Sequence, residues 1–314
     1  MNIVFFGSSH FAAPSLEALI REKYNVTLVV TQPDKKSGRG MHPSHTVIKS
    51  VAQGSSIGIY QPENINSKEA ASVLKKQNAD LFVVIAYGQI LTQAVLDIPK
   101  IFAINLHASL LPEYRGAAPI NRAIINGVKT TGITVIKMNR KMDAGEVFLK
   151  KETEISQTDT VIDLESRLSE MAAQALIEAL RLIKDKNYKL VPQDDKEASF
   201  APKLHKSDGE IHWEEPAETI YNSFRGTLNW PGSFTYYRGK LLRVCKLSVY
   251  PQELEKEKLS AGTVTHIFKD SIVVACGKGA LLIEELQLEG KRKMPVQEFL
   301  SGHKISLGEV LGKK

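Results

Sequence analysis

The chain has 314 residues, of which 43% are apolar and 24% charged. That balance excludes an intrinsically disordered chain and is enough for two ordinary cores, so two domains are expected. The formal net charge of +6 excludes a concentrated polycation and leaves any contact with a polyanion to local patches.

In chain order, a strand is expected over residues 3–6, with no basic stretch ahead of it, so a secretory leader is not expected. Helical periodicity follows over 13–22, then an apolar run over 26–30. Further strands are expected over 57–60, 81–86, 103–107, 134–138 and 147–151, with a helix over 68–77. Short continuous apolar strands alternating with helices specify a Rossmann-like α/β fold, a mostly parallel sheet with helices on both faces. Over 160–183, Val161, Leu164, Leu168, Met171 and Ala175 begin the apolar stripe of one amphipathic helix. The pattern changes after about residue 187. The polar run Pro192-Gln193-Asp194-Asp195-Lys196-Glu197 reads as part of a linker over 188–207. Beyond it, 234–237 and 241–249 flank the turn Arg238-Gly239 as a hairpin, and 263–268, 272–275 and 280–288 are short strands. The expected division is therefore an α/β catalytic domain over 1–187, the linker, and a smaller OB-like β-barrel domain over 208–314.

No run approaches 18 apolar residues, so no membrane span is expected. The two cysteines, Cys245 and Cys276, lack Cys-x-x-Cys or Cys/His spacing and read as reduced thiols of a cytoplasmic protein with no metal site. Neither G-x-G-x-x-G nor the P-loop pattern occurs, and there is no Gly-x-Ser-x-Gly elbow.

In an open α/β sheet, ligands sit beyond the carboxyl ends of strands. The strand from 103 ends in Asn105-Leu106-His107. Strand alternation puts Asn105 and His107 on one side, a carboxamide and an imidazole facing one point. Such a pair can donate to a developing oxyanion, and the imidazole can carry protons. Asp143 lies in the turn Lys141-Met142-Asp143-Ala144-Gly145-Glu146. It is either a turn residue or a carboxylate that orients His107, depending on whether the two loops meet.

Asn105-x-His107-x-Ser109-Leu110-Leu111-Pro112, Tyr114-Arg115-Gly116-Ala117-Ala118-Pro119-Ile120 and Met142-Asp143-Ala144-Gly145 together resemble the signature of the 10-formyltetrahydrofolate-dependent formyltransferases. Likeness to the members that act on charged tRNA runs nearly the full length. It includes residues 7–11, Thr31-Gln32-Pro33-Asp34, Gly38-Arg39-Gly40, Ala86-Tyr87-Gly88, residues 208–213, Trp230-Pro231-Gly232 and residues 290–294.

The resemblance implies a formyl transfer from 10-formyltetrahydrofolate, a co-substrate needing no metal, to the amino group of the methionine on initiator tRNA. That reaction belongs to translation initiation in the cytoplasm, by a monomer. It implies catalytic roles for Asn105, His107 and Asp143. It places Ser109, Leu110, Leu111 and Pro112, with Ala86, Tyr87 and Gly88, in the folate site, and Phe11 against the methionine. Lys35, Lys36 and Arg39, and the run Lys291-Arg292-Lys293, would face the tRNA. Two departures stand out. The start reads Gly7-Ser8-Ser9-His10-Phe11 where the family has Gly-Thr-Pro-x-Phe, and the loop after Arg39 is shorter by two charges, offset by Lys35 and Lys36. That loop, polar and with two glycines, is expected to be mobile.

An α-amino group has a pKa of about 8, and a neighbouring ester lowers it, so the nucleophile needs little activation. The demands fall on the oxyanion and on the proton that must reach the leaving nitrogen. Rival readings are a relative whose acceptor is a nucleotide-linked amino sugar or glycinamide ribonucleotide, and a non-catalytic RNA-binding protein. The Gly38-Arg39-Gly40 loop argues against the first, and the complete Asn105, His107 and Asp143 set against the second.

Overall fold

Four consecutive apolar residues, Ile3, Val4, Phe5 and Phe6, are wholly buried, which only a strand covered on both faces allows. The computed structural model describes residues 1–37, 42–252 and 260–312. In it this run forms β1 (Asn2–Gly7), followed by α1 (Ala13–Arg21), with Pro14 in its first turn, and β2 (Asn25–Val30). A short hairpin, β3 (Lys35–Ser37) and β4 (His42–Ser44), precedes α2 (Val47–Gly54), β5 (Ile59–Tyr60), α3 (Lys68–Lys76), β6 (Leu81–Ile85), α4 (Gln93–Leu96) and β7 (Phe102–His107). Thr46 and Ser67 cap α2 and α3 by accepting from the backbone N–H three residues on. After β8 (Arg115–Gly116) and α5 (Pro119–Ile125) come β9 (Thr130–Lys137), β10 (Glu146–Glu154), α6 (Val161–Lys184) and β11 (Phe200–Ala201).

Seven of these strands form one sheet in the order β10-β9-β7-β6-β1-β2-β5. The pairs from β7 to β5 are parallel, and β9 and β10 add antiparallel at one edge. This is the mostly parallel, helix-covered sheet expected. On one face Phe6 packs against Phe82, ring centres 5.0 Å apart, and meets Tyr87 edge-on at 5.5 Å.

The second sheet is antiparallel and OB-like. It is built from β12 (Phe234–Tyr237), β13 (Lys240–Val249), β14 (Val264–Ile267), β15 (Ile272–Ala275), β16 (Ala280–Leu288) and β17 (Met294–Pro295). Two helices not anticipated from the sequence complete it, α7 (Ala217–Thr227) and α8 (Val296–Gly302). They send Ile220, Phe224, Val296 and Phe299 into the same core as Leu281 and Ile283. Trp213 Nε1 donates to Thr235 Oγ1 at 3.0 Å inside that core.

The two compact units are not contiguous in sequence, unlike the division at 187 and 208. One comprises Met1–Pro119, Thr130–Glu154 and Asp163–Pro202; the other Ile120–Lys129, Ile155–Ile162 and Lys203–Lys314. Polar ties explain the membership of the short pieces. Asn121 donates to the Gly226 carbonyl, Arg122 pairs with Asp208, and buried Arg225 donates to the Ser156 and Asp159 carbonyls. Of the segment read as a linker, residues 188–202 belong to the first unit. Val191 there exchanges two backbone hydrogen bonds with Val147 on β10.

Cys245 and Cys276 are free thiols, and burial pushes Cys276 up to about 12. Among the described residues, no helix is long and apolar enough to cross a membrane. Phe6→Ala should lower unfolding stability by about 3–5 kcal/mol, measured by urea denaturation, because the neighbouring rings cannot collapse into the cavity.

Candidate active site

β7 carries two of the expected residues to the carboxyl edge of the sheet. Asn105 pairs in register with Val84 of β6 and turns its carboxamide back, so that Nδ2 donates to the Val84 carbonyl at 2.9 Å. Its Oδ1 is buried and has no partner among the described residues. Two residues on, His107 is 7% exposed and its Nε2 lies 2.9 Å from the Tyr114 carbonyl. A carbonyl only accepts, so Nε2 carries the hydrogen and Nδ1 is the other face of the ring. Nδ1 points to Asp143 Oδ2 at 3.7 Å, within ion-pair range and beyond hydrogen-bond length. The same carboxylate oxygen accepts from the Gly116 N–H at 2.9 Å. The loops after β7 and β9 therefore meet, and Asn105, His107 and Asp143 belong to one neighbourhood of the first unit.

Three non-glycine residues on the loops after β6, β7 and β9 have left-handed backbones: Ala86 (φ 45°), Tyr114 (φ 57°) and Asp143 (φ 51°). Each such conformation costs about 1–3 kcal/mol and persists only where surroundings impose it. Around Asp143 those surroundings are visible. Gln193 Nε2 donates to the carbonyls of Asp143 (2.8 Å) and Gly145 (2.7 Å). Gln193 Oε1 accepts from Arg115 Nε (3.0 Å) and Nη2 (2.8 Å). Arg115, itself buried, also pairs with Asp195 at 2.8 Å and holds that carboxyl below its usual range. At Gly145 an added Cβ would stand 1.9 Å from the Lys137 carbonyl oxygen, so a side chain there would open the turn. Sequence reasoning missed Gln193 and Arg115 as site residues. Arg115 was visible only as part of the signature Tyr114-Arg115-Gly116, and Gln193 only as a glutamine inside a polar stretch that reads as a linker.

The segment expected to bind folate follows β7 directly. Thr134 Oγ1 donates to the Ser109 carbonyl at 2.7 Å and accepts from Leu111 N at 3.0 Å, while Ser109 Oγ donates to the Glu113 carbonyl at 2.6 Å. Ser109 and Leu111 are fully buried, the Leu111–Pro112 bond is cis, and Leu110 keeps partial exposure. In the Ala86-Tyr87-Gly88 turn, Ala86 and Gly88 are exposed, whereas the Tyr87 ring is buried in the core and burial raises its hydroxyl pKa. The Tyr87 carbonyl accepts from Ser8 Oγ and Gln32 Nε2, which joins the loops after β1, β2 and β6. Phe11 follows β1 in a short 3₁₀ turn and is 7% exposed.

Of the residues expected at the tRNA, Arg39 lies outside the described residues, as does the expectation that its loop is mobile. Lys35 and Lys36 are backbone partners of Ser44 and Pro43 in the β3–β4 hairpin. Asp34 anchors the base of that hairpin. Its carboxylate accepts from Lys49 Nζ at 2.6 Å and Gln61 Nε2 at 2.8 Å and meets His45 Nδ1 at 2.7 Å, contacts that hold it far below the ordinary aspartate value of 3.8. In the second unit, Arg292 pairs with Glu298, Lys293 pairs with Glu285 at 2.5 Å, and Lys291 is exposed. Glu285 raises the Lys293 pKa. Among the described residues no three His, Cys, Asp or Glu side chains group as metal ligands.

Comparison with known proteins adds identity to this geometry. The formyl transferase family profile matches residues 1–180, and the profile of the formyl transferase C-terminal domain matches residues 203–304. A methionyl-tRNA formyltransferase of Acetivibrio thermocellus is 45% identical over 100% of both chains. One of Caldanaerobacter subterraneus subsp. tengcongensis is 44% identical over 99% of this chain and 100% of the other. Among solved structures, an N-formyltransferase from Helicobacter canadensis, in complex with folinic acid and dTDP-3-aminofucose, superposes with a TM-score of 0.67 at 16% identity. It covers 93% of this chain and 99% of that one.

Because the folded pKa of Asp34 is depressed, its stabilisation is present above the unfolded value and is lost as pH falls through the folded one. The difference in Tm between the parent protein and Asp34→Asn should therefore hold steady from pH 7 to about 5 and shrink below pH 4; a difference that grows on acidification would refute the assignment.

Proposed function

The chain belongs to the formyl transferase family, and from that premise we propose that it transfers the formyl group of 10-formyltetrahydrofolate to the amino group of the methionine on initiator tRNA. In this reading it serves translation initiation in the cytoplasm, as a monomer. The observation that carries the acceptor is the 45% identity across the whole of both chains to a methionyl-tRNA formyltransferase, second domain included. A sugar 3N-formyl transferase of the same fold shares only 17%.

The reaction needs no change in redox state. The amine nitrogen bonds to the formyl carbon, and the carbonyl π electrons move to oxygen. The bond from carbon to N10 of the folate then breaks, while one proton leaves the amine and one reaches N10. The Asn105 carboxamide has a second N–H beyond the one given to Val84 and is proposed to donate it to the oxyanion, while His107, whose Nε2–H is given to Tyr114, would act on the proton together with Asp143. The unpartnered Asn105 Oδ1 suits an N–H of the incoming amine. The His107–Asp143 contact offers a place to hold the travelling proton. It is longer than a hydrogen bond in the free protein and has room to shorten when substrate excludes water. Ala86, Gly88 and the partly exposed Leu110 border the same carboxyl edge and are proposed to contact the folate, and Phe11 the methionine. Arg39, Lys35, Lys36 and the 291–293 run are proposed to contact the tRNA phosphates.

Asn105→Ala, His107→Ala and Asp143→Ala should each lower kcat by about a hundredfold or more while leaving thermal unfolding near that of the parent. Normal turnover in all three would remove the site. The acceptor is tested by supplying 10-formyltetrahydrofolate with charged initiator tRNA, a dTDP-linked amino sugar, or glycinamide ribonucleotide; formylmethionyl-tRNA is the expected product. Binding of the tRNA should weaken linearly on a plot of log affinity against log salt, since phosphate contacts release counterions. A flat plot would count against tRNA as the acceptor.

A further inference from the structure

We infer that Gln193 is a positioning residue for Asp143, with Arg115 as its anchor. The inference rests on the reading of Asp143 as part of the catalytic group.

The chemistry of the contacts leaves the carboxamide one orientation. Arg115 only donates, so Gln193 Oε1 must face it; the Asp143 and Gly145 carbonyls only accept, so Nε2 must face them. Both N–H bonds of the amide are used, on two carbonyls that flank Ala144. They bracket the segment in which Asp143 adopts its left-handed backbone. Asp143 gains nothing from its own dihedrals there, and the bracket is what imposes them. The anchor is held as well: Arg115 is buried and meets Gln193 through two N–H donors that converge on its one amide oxygen.

Arg115 also sits between the two backbone groups that serve the site directly. Tyr114 before it presents the carbonyl that takes His107 Nε2–H. Gly116 after it presents the N–H that meets the Asp143 carboxylate. One side chain thus ties the backbone of the Asp143 turn to the strand that orients both the carboxylate and the imidazole. Glutamine suits the position because its carboxamide combines an acceptor for arginine with two donors for carbonyls, on a stem one methylene longer than asparagine's. Glutamate would keep the arginine and set oxygen against oxygen at the turn; leucine would lose both contacts.

The test uses the full-length enzyme with Q193L, Q193E, D143N and the double variants Q193L/D143N and Q193E/D143N. Turnover and KM are measured for both substrates per folded molecule, together with thermal unfolding. Q193L and Q193E should lower kcat about ten- to a hundredfold, the loss expected from an ångström-scale misplacement, and leave both KM values within about twofold. Neither should lower kcat further once Asp143 is Asn. Should Q193L prove too unstable to assay, Q193E, which keeps the Arg115 contact, decides alone. Parent-like kcat in the Gln193 variants beside an impaired D143N overturns the inference, as does a full additive loss in the double variants. Parent-like kcat in D143N removes the reading of Asp143 itself, and the inference falls with it.

Discussion

The hydrogen bond from His107 Nε2 to the Tyr114 carbonyl is the contact on which the site depends. By committing one ring nitrogen to a backbone acceptor, it decides that the other faces Asp143. For that carbonyl to point at the ring, Tyr114 adopts a left-handed backbone. Its neighbours are held in place from a distance in sequence. Tyr114 N donates to Ser199 Oγ, Arg115 N to the Ser199 carbonyl, and Ala117 and Ala118 N to the Ala201 carbonyl. A stretch some eighty residues downstream therefore sets the tautomer of a histidine on β7.

The sheet provides the rest of the frame. β7 lies between β6 and β9, parallel to one and antiparallel to the other. That switch in direction sets the end of β9 beside Ile104, toward the amino end of β7, and the connection that follows folds back so that Asp143 meets His107. Had β9 been parallel, Lys137 would leave the sheet at the same edge as His107, and its register partner would not be Ile104. β10 pairs antiparallel with β9, and Asp143 lies in the connection of residues 138–145 between them.

Much of this was legible in the sequence because it depends on local period. The buried runs of β1 and β6 announce parallel strands, and the two-residue spacing of Asn105 and His107 predicts a shared face. That Asp143 could face His107 was readable once its motif was placed beside theirs, and the structure brings the two side chains to 3.7 Å. What escaped depends on long-range partners. Gln193 lies in a run that is as polar as any connector, and only its amide contacts with Arg115, Asp143 and Gly145 separate it from one. The α7 helix was overlooked although Ala217, Ile220 and Phe224 keep helical spacing, because mostly polar residues lie between them. Tyr87, expected in the folate site, has its ring in the core, while its backbone carbonyl joins the loops at the carboxyl edge of the sheet.

The outer strand β10 has a consequence of another kind. As the last strand of the sheet it offers a row of open backbone groups, the feature through which proteins zip together into aggregates. Here the row is guarded. Val191 closes its beginning, and Lys150, Lys151, Glu152 and Glu154 line the remainder with charge of both signs. Strand-by-strand stacking of one molecule on another would have to desolvate those charges. The strand beside the proposed site thus resists edge-to-edge pairing.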